Sequence, residues 1–491
     1  MATKVSSDGL ISNAVINNSV NYVHPMYRYV RVYPTQQSAI ILTDASPLET
    51  VLTLPNDVGN FYHSYFTFTY NLAANGGAYI YNQLYSYFNA WFQSIRLTSN
   101  NSPEFLNIPQ LSYYLNLITP VEHKYCELPT RDYDNGFTYM SCAQLANNRY
   151  ISCDGAAGVP TTNQLIAIDA SRPLNEVSYM NYLPVAPLAN TAITGTYRFN
   201  LRDIKNSIFS LDKDIYWSDT LQMHVMWNPL NKIGFASGGT AASNPGALGG
   251  NQAAAAGAAA AGGAPTGQRP LVSGAVTITN FALWIALENN ENLRQSVKAS
   301  FSKAGGEEIL VPVINQASVL NAAMTQQTYN VTISGVLGSY LQKVIYAPYN
   351  GSFPYYNGAY EHSNLFGSRI QTYNTFINSK KLQENAIDCT STVGTLADDF
   401  NANRDSLKGS LITNYTQYQM LWHHIDKFDG HPGPEDKQLP YDNSEIISGW
   451  PLNEPLVWTM QATTANVAIT HMVFAVTLRK LSVKPGRIEL R

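Results

Sequence analysis

Short runs in which apolar side chains occupy every second position recur along most of the 491 residues, and no other feature limits the fold so strongly. Phe66, Phe68 and Tyr70 alternate with Thr67 and Thr69, and Met223, Val225 and Trp227 keep the same spacing. Phe281, Leu283, Ile285 and Leu287 form a third run, Tyr329, Val331 and Ile333 a fourth, and Met472, Phe474, Val476 and Leu478 a fifth. A period of two places each set on one face of a sheet, whereas a helix would need a period near 3.6. Between the runs lie Asn75 before Gly76-Gly77, then Asn135-Gly136, Asn350-Gly351 and Asn357-Gly358. Such pairs tolerate the positive φ of tight hairpins. The chain is therefore expected to be all-β.

Two segments depart from the period of two. Ile108, Leu111, Leu115 and Ile118 keep helical spacing, as do Leu411, Tyr415, Tyr418 and Trp422. Each is expected to be one amphipathic helix across a sheet edge. They fall at comparable places in the two halves, and each half ends in an apolar alternating run, near 276–287 and 469–478. This is a trace of duplication without a residue-by-residue repeat. All-β sandwiches commonly run to about 200–250 residues, so the length accommodates two.

Residues 237–268 are almost all Gly, Ala, Ser, Asn and Pro, with Leu248 the one large apolar side chain. Such a stretch has little to bury against its ordering entropy, and it is expected to be a long outward loop of the first sandwich. The polar segment around 291–306 reads as a linker. The expected layout is an N-terminal arm at 1–24, a first sandwich at 25–290 carrying the loop 237–268, the linker at 291–306, a second sandwich at 307–485 and a C-terminal tail at 486–491.

Composition narrows the function. Charged residues make up 13%, against about 25% in ordinary soluble proteins. Tyr numbers 32, and Tyr is enriched where a side chain packs at one end and meets water or a partner at the other. A formal charge of −4 excludes a chain built throughout as a polycation for nucleic acid. The first 21 residues lack the apolar stretch of a signal peptide, and no run approaches the roughly 18 apolar residues of a membrane span. The triplets at Asn330 and Asn414 match a glycosylation acceptor, but without a secretory signal they are expected to be unused. Cys126, Cys142, Cys153 and Cys389 form no C-x-x-C pair and read as reduced thiols.

Residues 88–101 (FNAWFQSIRLTSNN), the helix near 108–118 and then Tyr133-Asp134-Asn135 resemble the first domain of double jelly-roll major capsid proteins, particularly those of virophages and polinton-like viruses. Residues 223–228 (MHVMWN) and 276–287 (VTITNFALWIAL) resemble closing strands of that domain, and 328–346 (TYNVTISGVLGSYLQKVIY) the opening of the second. Residues 458–481, with Thr464-Ala465-Asn466 at the turn, resemble its terminal hairpin. The resemblance covers about residues 25 to 485 as a pattern of elements, and the Gly/Ala stretch is no part of it. It implies two tandem jelly-roll β-sandwiches, three chains per capsomer and six jelly rolls in a pseudo-hexagonal tile of an icosahedral DNA virus. Neighbouring capsomers and minor capsid or penton proteins are the implied partners, and the virion the implied location.

No constellation points to catalysis. The stretch 422–431, with His423, His424, Asp426, Asp429 and His431, has donors for a transition metal but matches no zinc spacing, and it reads as a polar exit from the second helix. Asp132 and Asp134 resemble the opening of a calcium loop but lack the distal bidentate Glu, and the Asn135-Gly136 turn explains them as well. No G-x-S-x-G and no P-loop occurs. Glu307-Glu308 and Asp398-Asp399 are adjacent pairs and read as surface charge. No catalytic, cofactor or metal residue is assigned. Arg479, Lys480, Lys484, Arg487 and Arg491 form a basic run suited either to solvent or to inner contact with packaged DNA.

The expected function is that of a non-enzymatic shell subunit, trimeric through an aromatic-rich interface. Residues 1–21 are expected to be an irregular arm on the inner side, together with the basic tail. The alternatives are a single jelly-roll capsid protein with very large loops, and a lectin-like or carbohydrate-active sandwich. A single jelly roll would leave the runs after residue 320 without a core. A carbohydrate-active protein would need a carboxylate pair that the sequence does not display.

Overall fold

Alternation decides which side chains go inside, and strand order decides which strands share an inside. The computed structural model describes residues 26–35, 39–43, 47–72, 80–84, 91–100, 102–122, 149–152, 164–167, 193–230, 234–238, 268–270, 275–321, 327–349, 370–381, 384–388, 424–427, 450–462 and 469–490. The first half contains β1 (Tyr27–Val32), β2 (Ile40–Leu42), β3 (Leu48–Thr53), β4 (Val58–Leu72), β5 (Ile80–Leu84), β6 (Phe92–Ser99), β7 (Ser102–Ile108), helix α1 (Leu111–Glu122), β8 (Arg149–Ser152) and β9 (Gln164–Ala167). It continues through β10 (Ile193–Asn200), β11 (Ile215–Tyr216), β12 (Leu221–Trp227), β13 (Gly234–Gly238), β14 (Gln268–Pro270) and β15 (Val276–Glu288) to helix α2 (Glu291–Phe301). The second half contains β16 (Glu307–Asn321), β17 (Gln327–Ile333), β18 (Tyr340–Tyr349), β19 (Ile370–Ile377), β20 (Lys380–Lys381) and β21 (Ile387–Asp388). It ends with β22 (His424–Lys427), β23 (Trp450–Pro451), β24 (Leu456–Ala462), β25 (Ile469–Lys484) and β26 (Arg487–Leu490).

The two halves repeat one strand order. In the first, one sheet runs β1-β15-β4-β10 and the other β3-β12-β6-β7. β2 pairs with β15 just beyond β1, so the two short strands act as one interrupted strand. In the second half the sheets run β16-β25-β18-β22 and β17-β24-β19-β20, with β21 also on β19. Written as eight successive strands B to I, both halves give B-I-D-G facing C-H-E-F. All named pairings are antiparallel, as hairpin-rich alternating strands require. A single sandwich with large loops is excluded, because the runs after residue 320 have two sheets of their own.

The first interior is aromatic. Phe66, Phe68, Trp91, Phe92, Trp227 and Phe281 are buried together. The Phe68 ring stands edge-on to Trp91 and Trp227 at 5.0 and 5.2 Å, the arrangement ring quadrupoles favour. The Trp227 indole N–H donates to Thr50 Oγ1 at 2.9 Å, so its polar end is satisfied. Val331 and Ile333 lie in a separate second core with Tyr346, Trp458 and Met460.

The terminal run of Met472, Phe474, Val476 and Leu478, which its place in the sequence assigns to the core of the second sandwich along with Val331 and Ile333, is found elsewhere at Phe474. Phe474 and Met472 join the first core cluster, whereas Val473 and Ala475 face the second. β25 is buried on both sides, so its even-numbered apolar set points out of its own sandwich. The two cores are therefore not sealed from each other: the first continues onto the outer face of β25.

Three further segments differ from their expected form. The polar linker contains α2, capped by Asn290, whose side chain accepts from the amides of Asn292 and Leu293. Leu293, Val297 and Phe301, four residues apart, bury one stripe. The C-terminal tail contains β26, which pairs with β25 from Lys484↔Arg487 to Leu481↔Leu490 and buries Ile488. Ile108 closes β7 rather than joining α1. The expected helix at 411–422 and the arm at 1–24 lie outside the described residues. So do residues 239–267 of the Gly/Ala stretch, but its ends pair, Ser237 opposite Gln268.

Candidate assembly interface

Two equivalent sheet faces here have different surroundings. The outer face of the second B-I-D-G sheet is covered within the chain. Phe474 lies 6.2 Å from Tyr113 and 5.4 Å from Tyr114, ring to ring, both on α1. Beside them Lys343 donates from Nζ to Asn206 Oδ1 at 2.9 Å, and the Asn206 amide donates to the Tyr114 hydroxyl at 2.9 Å. All three polar side chains are buried. Asn206 adopts φ 58°, a left-handed conformation that Asn tolerates better than most residues. At the far end the Gly486 amide donates to Ser218 Oγ at 3.1 Å, fixing the β25–β26 turn to the first sandwich.

The outer face of the first B-I-D-G sheet carries an aromatic row, half-buried at Tyr65 and Trp284 and exposed at Tyr29, Arg31 and Tyr33. Arg31, Trp284 and Tyr65 are cross-strand neighbours on β1, β15 and β4. Trp284 stacks on Tyr65 at 6.0 Å, and Tyr29 lies 5.7 Å from Tyr65. The Arg31 guanidinium sits 4.7 Å from the Tyr33 ring and 5.3 Å from Trp284, and Arg198 lies 3.8 Å from Tyr65. Tyr29 and Tyr33 remain 47% and 49% exposed. A row of Tyr, Trp and Arg on a flat face has the composition of an interface hot spot. Its sequence signal is the alternation of Tyr27, Tyr29, Arg31 and Tyr33 with the part-buried Val30 and Val32. Aromatic residues on the outside of a strand look like core when only hydrophobicity is scored.

A part-buried polar cluster ties β1 into the first sandwich, with Asn60 and Asp214 at its buried centre. The Tyr27 hydroxyl donates to Asp214 Oδ1 at 2.9 Å. The Asn60 amide reaches Tyr27, Asp212 and Asp214 at 2.9, 3.0 and 3.1 Å. His63 Nε2 lies 3.1 Å from Asp212. Burial pushes the Asp214 carboxyl up to about 6, against the hydrogen bonds from Tyr27 and Asn60 and with the charges of Glu288 and Asp212. Burial also raises the Tyr27 hydroxyl well above its ordinary range, reinforced by the two Asp charges. For Asp212, burial acts upward, but His63 and Asn60 hold the carboxyl below its usual range. The Tyr27, Asn60, His63, Asp212 and Asp214 side chains are bonded to one another, so the cluster reads as a structural tie. The sequence signal was the Asp212-Lys213-Asp214 triplet, which sequence reading passed over.

The residues singled out for chemistry do not assemble into a site. His424–Lys427 is β22, paired with Lys343–Tyr346 of β18, while His423 and residues 428–431 lie outside the described residues. So do Asp132, Asp134, Asp398, Asp399 and the four cysteines. Among the described residues no three His, Cys, Asp or Glu side chains are grouped to hold a metal ion, and no helix is long and apolar enough to cross a membrane. Glu307 and Glu308 open β16, where Glu308 lies 3.7 Å from Lys480. The basic run is divided: Arg479 donates to the Gly335 carbonyl, Arg487 pairs with Glu489, and both belong to β25 and β26 rather than a loose end.

No family model matches the sequence, and no curated protein does. Solved structures do. The Faustovirus major capsid protein superposes with a TM-score of 0.52 at 9% identity, covering 94% of this chain and 91% of that one. The fold is a double jelly roll. Two other solved chains overlap at lower scores. One, from the Sputnik virophage, gives 0.48 at 11% identity over 96% of this chain and 89% of its own. The other, the mavirus major capsid protein, gives 0.43 at 8% over 94% and 90%. Within this double jelly roll, one B-I-D-G face is spent on the junction and its counterpart carries the part-exposed aromatic row.

Proposed function

We propose that the chain is the major capsid protein of an icosahedral DNA virus, assembling as trimeric, pseudo-hexagonal capsomers in the virion shell and carrying no enzymatic activity. The observation that carries this reading is the repeated B-I-D-G/C-H-E-F order of two sandwiches joined by a buried junction, the fold shared with the Faustovirus major capsid protein. Low charge and abundant Tyr accord with a subunit whose flanks are buried against neighbours. The working units are a first jelly roll at 25–290, the link 291–306 that contains α2, and a second jelly roll from 307 onward. Neighbouring capsomers and minor capsid or penton proteins are the partners. Inner contact with packaged DNA would run through Lys484 and Arg487 at the β25–β26 turn.

Size and shape test this reading together. Light scattering on the purified chain should give three times 54.2 kDa, and electron microscopy should show pseudo-hexagonal particles. A stable monomer with affinity for a sugar array would replace it with the lectin-like alternative.

A further inference from the structure

The buried junction between the sandwiches brings together the two groups from which an amide cross-link is made. Lys343 on β18 and Asn206, between β10 and β11, are 1% and 5% exposed. Lys343 Nζ donates to Asn206 Oδ1 at 2.9 Å, and the amide carbon lies one bond beyond that oxygen. The nitrogen end of the same amide is held as well, because Nδ2 donates to the buried Tyr114 hydroxyl at 2.9 Å. The turn that presents Asn206 is pinned by its left-handed backbone, φ 58°, and by Ser207 Oγ donating to the Ile204 carbonyl at 2.6 Å. The surroundings are aromatic and aliphatic: the Tyr114 ring lies 5.4 Å from Phe474, and Ile345 and Met472 join the same core. A primary amine and a carboxamide are thus held in contact, away from water, on two sandwiches that nothing else joins except the chain itself and packing.

We infer that Lys343 and Asn206 form an intramolecular isopeptide bond that joins the two sandwiches covalently. The Lys343 amine attacks the Asn206 side-chain carbon. The Nζ–Cγ bond forms, the Cγ–Nδ2 bond breaks, and Nδ2 leaves as ammonia with one proton from the attacking amine. Atoms balance without an oxidant, a reductant or any further reactant. Oriented groups within one molecule react as if at effective concentrations of roughly 10⁵ M or more, which is what the folded junction supplies. Only a neutral amine attacks a carbonyl, and removal from water favours the neutral form. The Tyr114 hydroxyl is within hydrogen-bond reach of the leaving nitrogen, where it passes the proton. Taking an ammonium out of water is costly, and the amide product carries no charge. The bond spans 137 positions of sequence. It concerns how the two sandwiches are held together and stands or falls independently of the capsid reading.

Mass spectrometry of the folded full-length chain tests the bond directly, beside a Lys343→Met variant made in the same way. The wild type should be lighter than its sequence by one ammonia, and the variant should show no such deficit. After denaturation, trypsin should release residues 206–213 joined to 304–369, with Lys343 protected from cleavage. Tyr114→Phe keeps the ring and removes the hydroxyl, so the joined peptide should be lost there. Full linkage in that variant would overturn the assignment of Tyr114 as the proton carrier. The wild type decides the main question even if neither variant folds. Full sequence mass with residues 206–213 released free overturns the inference, and so does an ammonia deficit that maps to any other pair of residues.

Discussion

The two B-I-D-G sheets are built from the same strand order and end in opposite environments. In the second sandwich β25 is buried on both faces, with Val473 and Ala475 in its own core and Met472 and Phe474 in the core of its neighbour. In the first sandwich β15 keeps Leu283 and Ile285 inside, but Trp284 stands on a face that water reaches. The difference teaches that topology alone does not decide which surface assembles. The covered face carries Met472, Phe474 and Ile345 beside Tyr113, Tyr114 and Lys343, and the other carries Tyr, Trp and Arg that remain part-exposed.

The sharpest way to break that comparison is to open the permanent junction. Phe474→Ala removes a ring seated against Tyr113 and Tyr114, and truncating a buried Phe typically costs about 3–5 kcal/mol. Urea unfolding should show a loss of that size, with both sandwiches destabilised. A near-zero effect would mean that the sandwiches are independent and that Phe474 faces solvent in the folded chain.

The same contrast shows how much the sequence disclosed. Strands were legible wherever one face is polar, as at Phe66 to Tyr70 between threonines. They were equally legible in β25, but the direction was not: with both faces apolar, a period of two no longer says which set points inward. α2 was hidden because Leu293, Val297 and Phe301 are spaced through a polar segment whose mean composition reads as a linker. β26 was hidden because four residues carry too little period to register. The aromatic face was missed because exposed aromatic residues and core residues are chemically alike, and only a partner strand's register tells them apart. The Asp212–Asp214 tie depends on β1 crossing over residues far away in sequence, which no local pattern encodes.

His471 in the second sandwich and Asp214 in the first should respond to pH in opposite senses. In the second, His471 is buried, its Nδ1 lies 2.8 Å from the Tyr346 hydroxyl, and its Nε2 has no hydrogen-bond partner among the described residues. Burial pushes it down to about 4. A histidine depressed in the folded state contributes stability that is present above its unfolded value near 6.5 and is lost as pH falls toward the folded value. The full loss is roughly 3 kcal/mol. His471→Gln should therefore flatten the fall in urea midpoint between pH 7 and pH 4.5. Equal slopes for variant and wild type would sink the assignment.

In the first sandwich Asp214 works the other way. Its folded value of about 6 lies above the ordinary 3.8, so its contribution is present below the unfolded value and is lost as pH rises through the folded one. The span is worth roughly 2–3 kcal/mol. Asp212 titrates in the opposite sense, but it is common to both proteins being compared. Asp214→Asn should gain stability relative to wild type as pH rises from 4 to 6.5 and hold that gain above it. If the difference between the two proteins does not change with pH, Asp214 is not the buried group it is taken to be.

The smallest expected effect concerns the link between the sandwiches. Asp57 lies 2.8 Å from Lys298 and 3.8 Å from Arg294, both on α2, and 3.2 Å from Arg28 on β1. Burial acts to raise its carboxyl, yet the hydrogen bond from Lys298, the Val58 amide and the Arg294 charge hold it below the usual range. Its contribution is thus present at neutral pH and lost only as pH falls below the ordinary carboxylate range. The cations are part-exposed, so water screens them, and Asp57→Asn should cost only about 1 kcal/mol. The loss should shrink in 1 M salt, where the screening length falls to about 3 Å. The same variant also tests whether α2 is a tether or a strut. A tether would leave the cost confined to the first sandwich, since Asp57 and β1 both belong there. A strut would pass part of it to the second, because Phe301 at the end of α2 is buried in the cluster that runs on to Phe474. Hydrogen exchange on β25 reads this directly. Faster exchange in Asp57→Asn at neutral pH, restored toward wild type when salt weakens the ion pairs in both proteins, would identify α2 as the element that couples the aromatic face to the covered one.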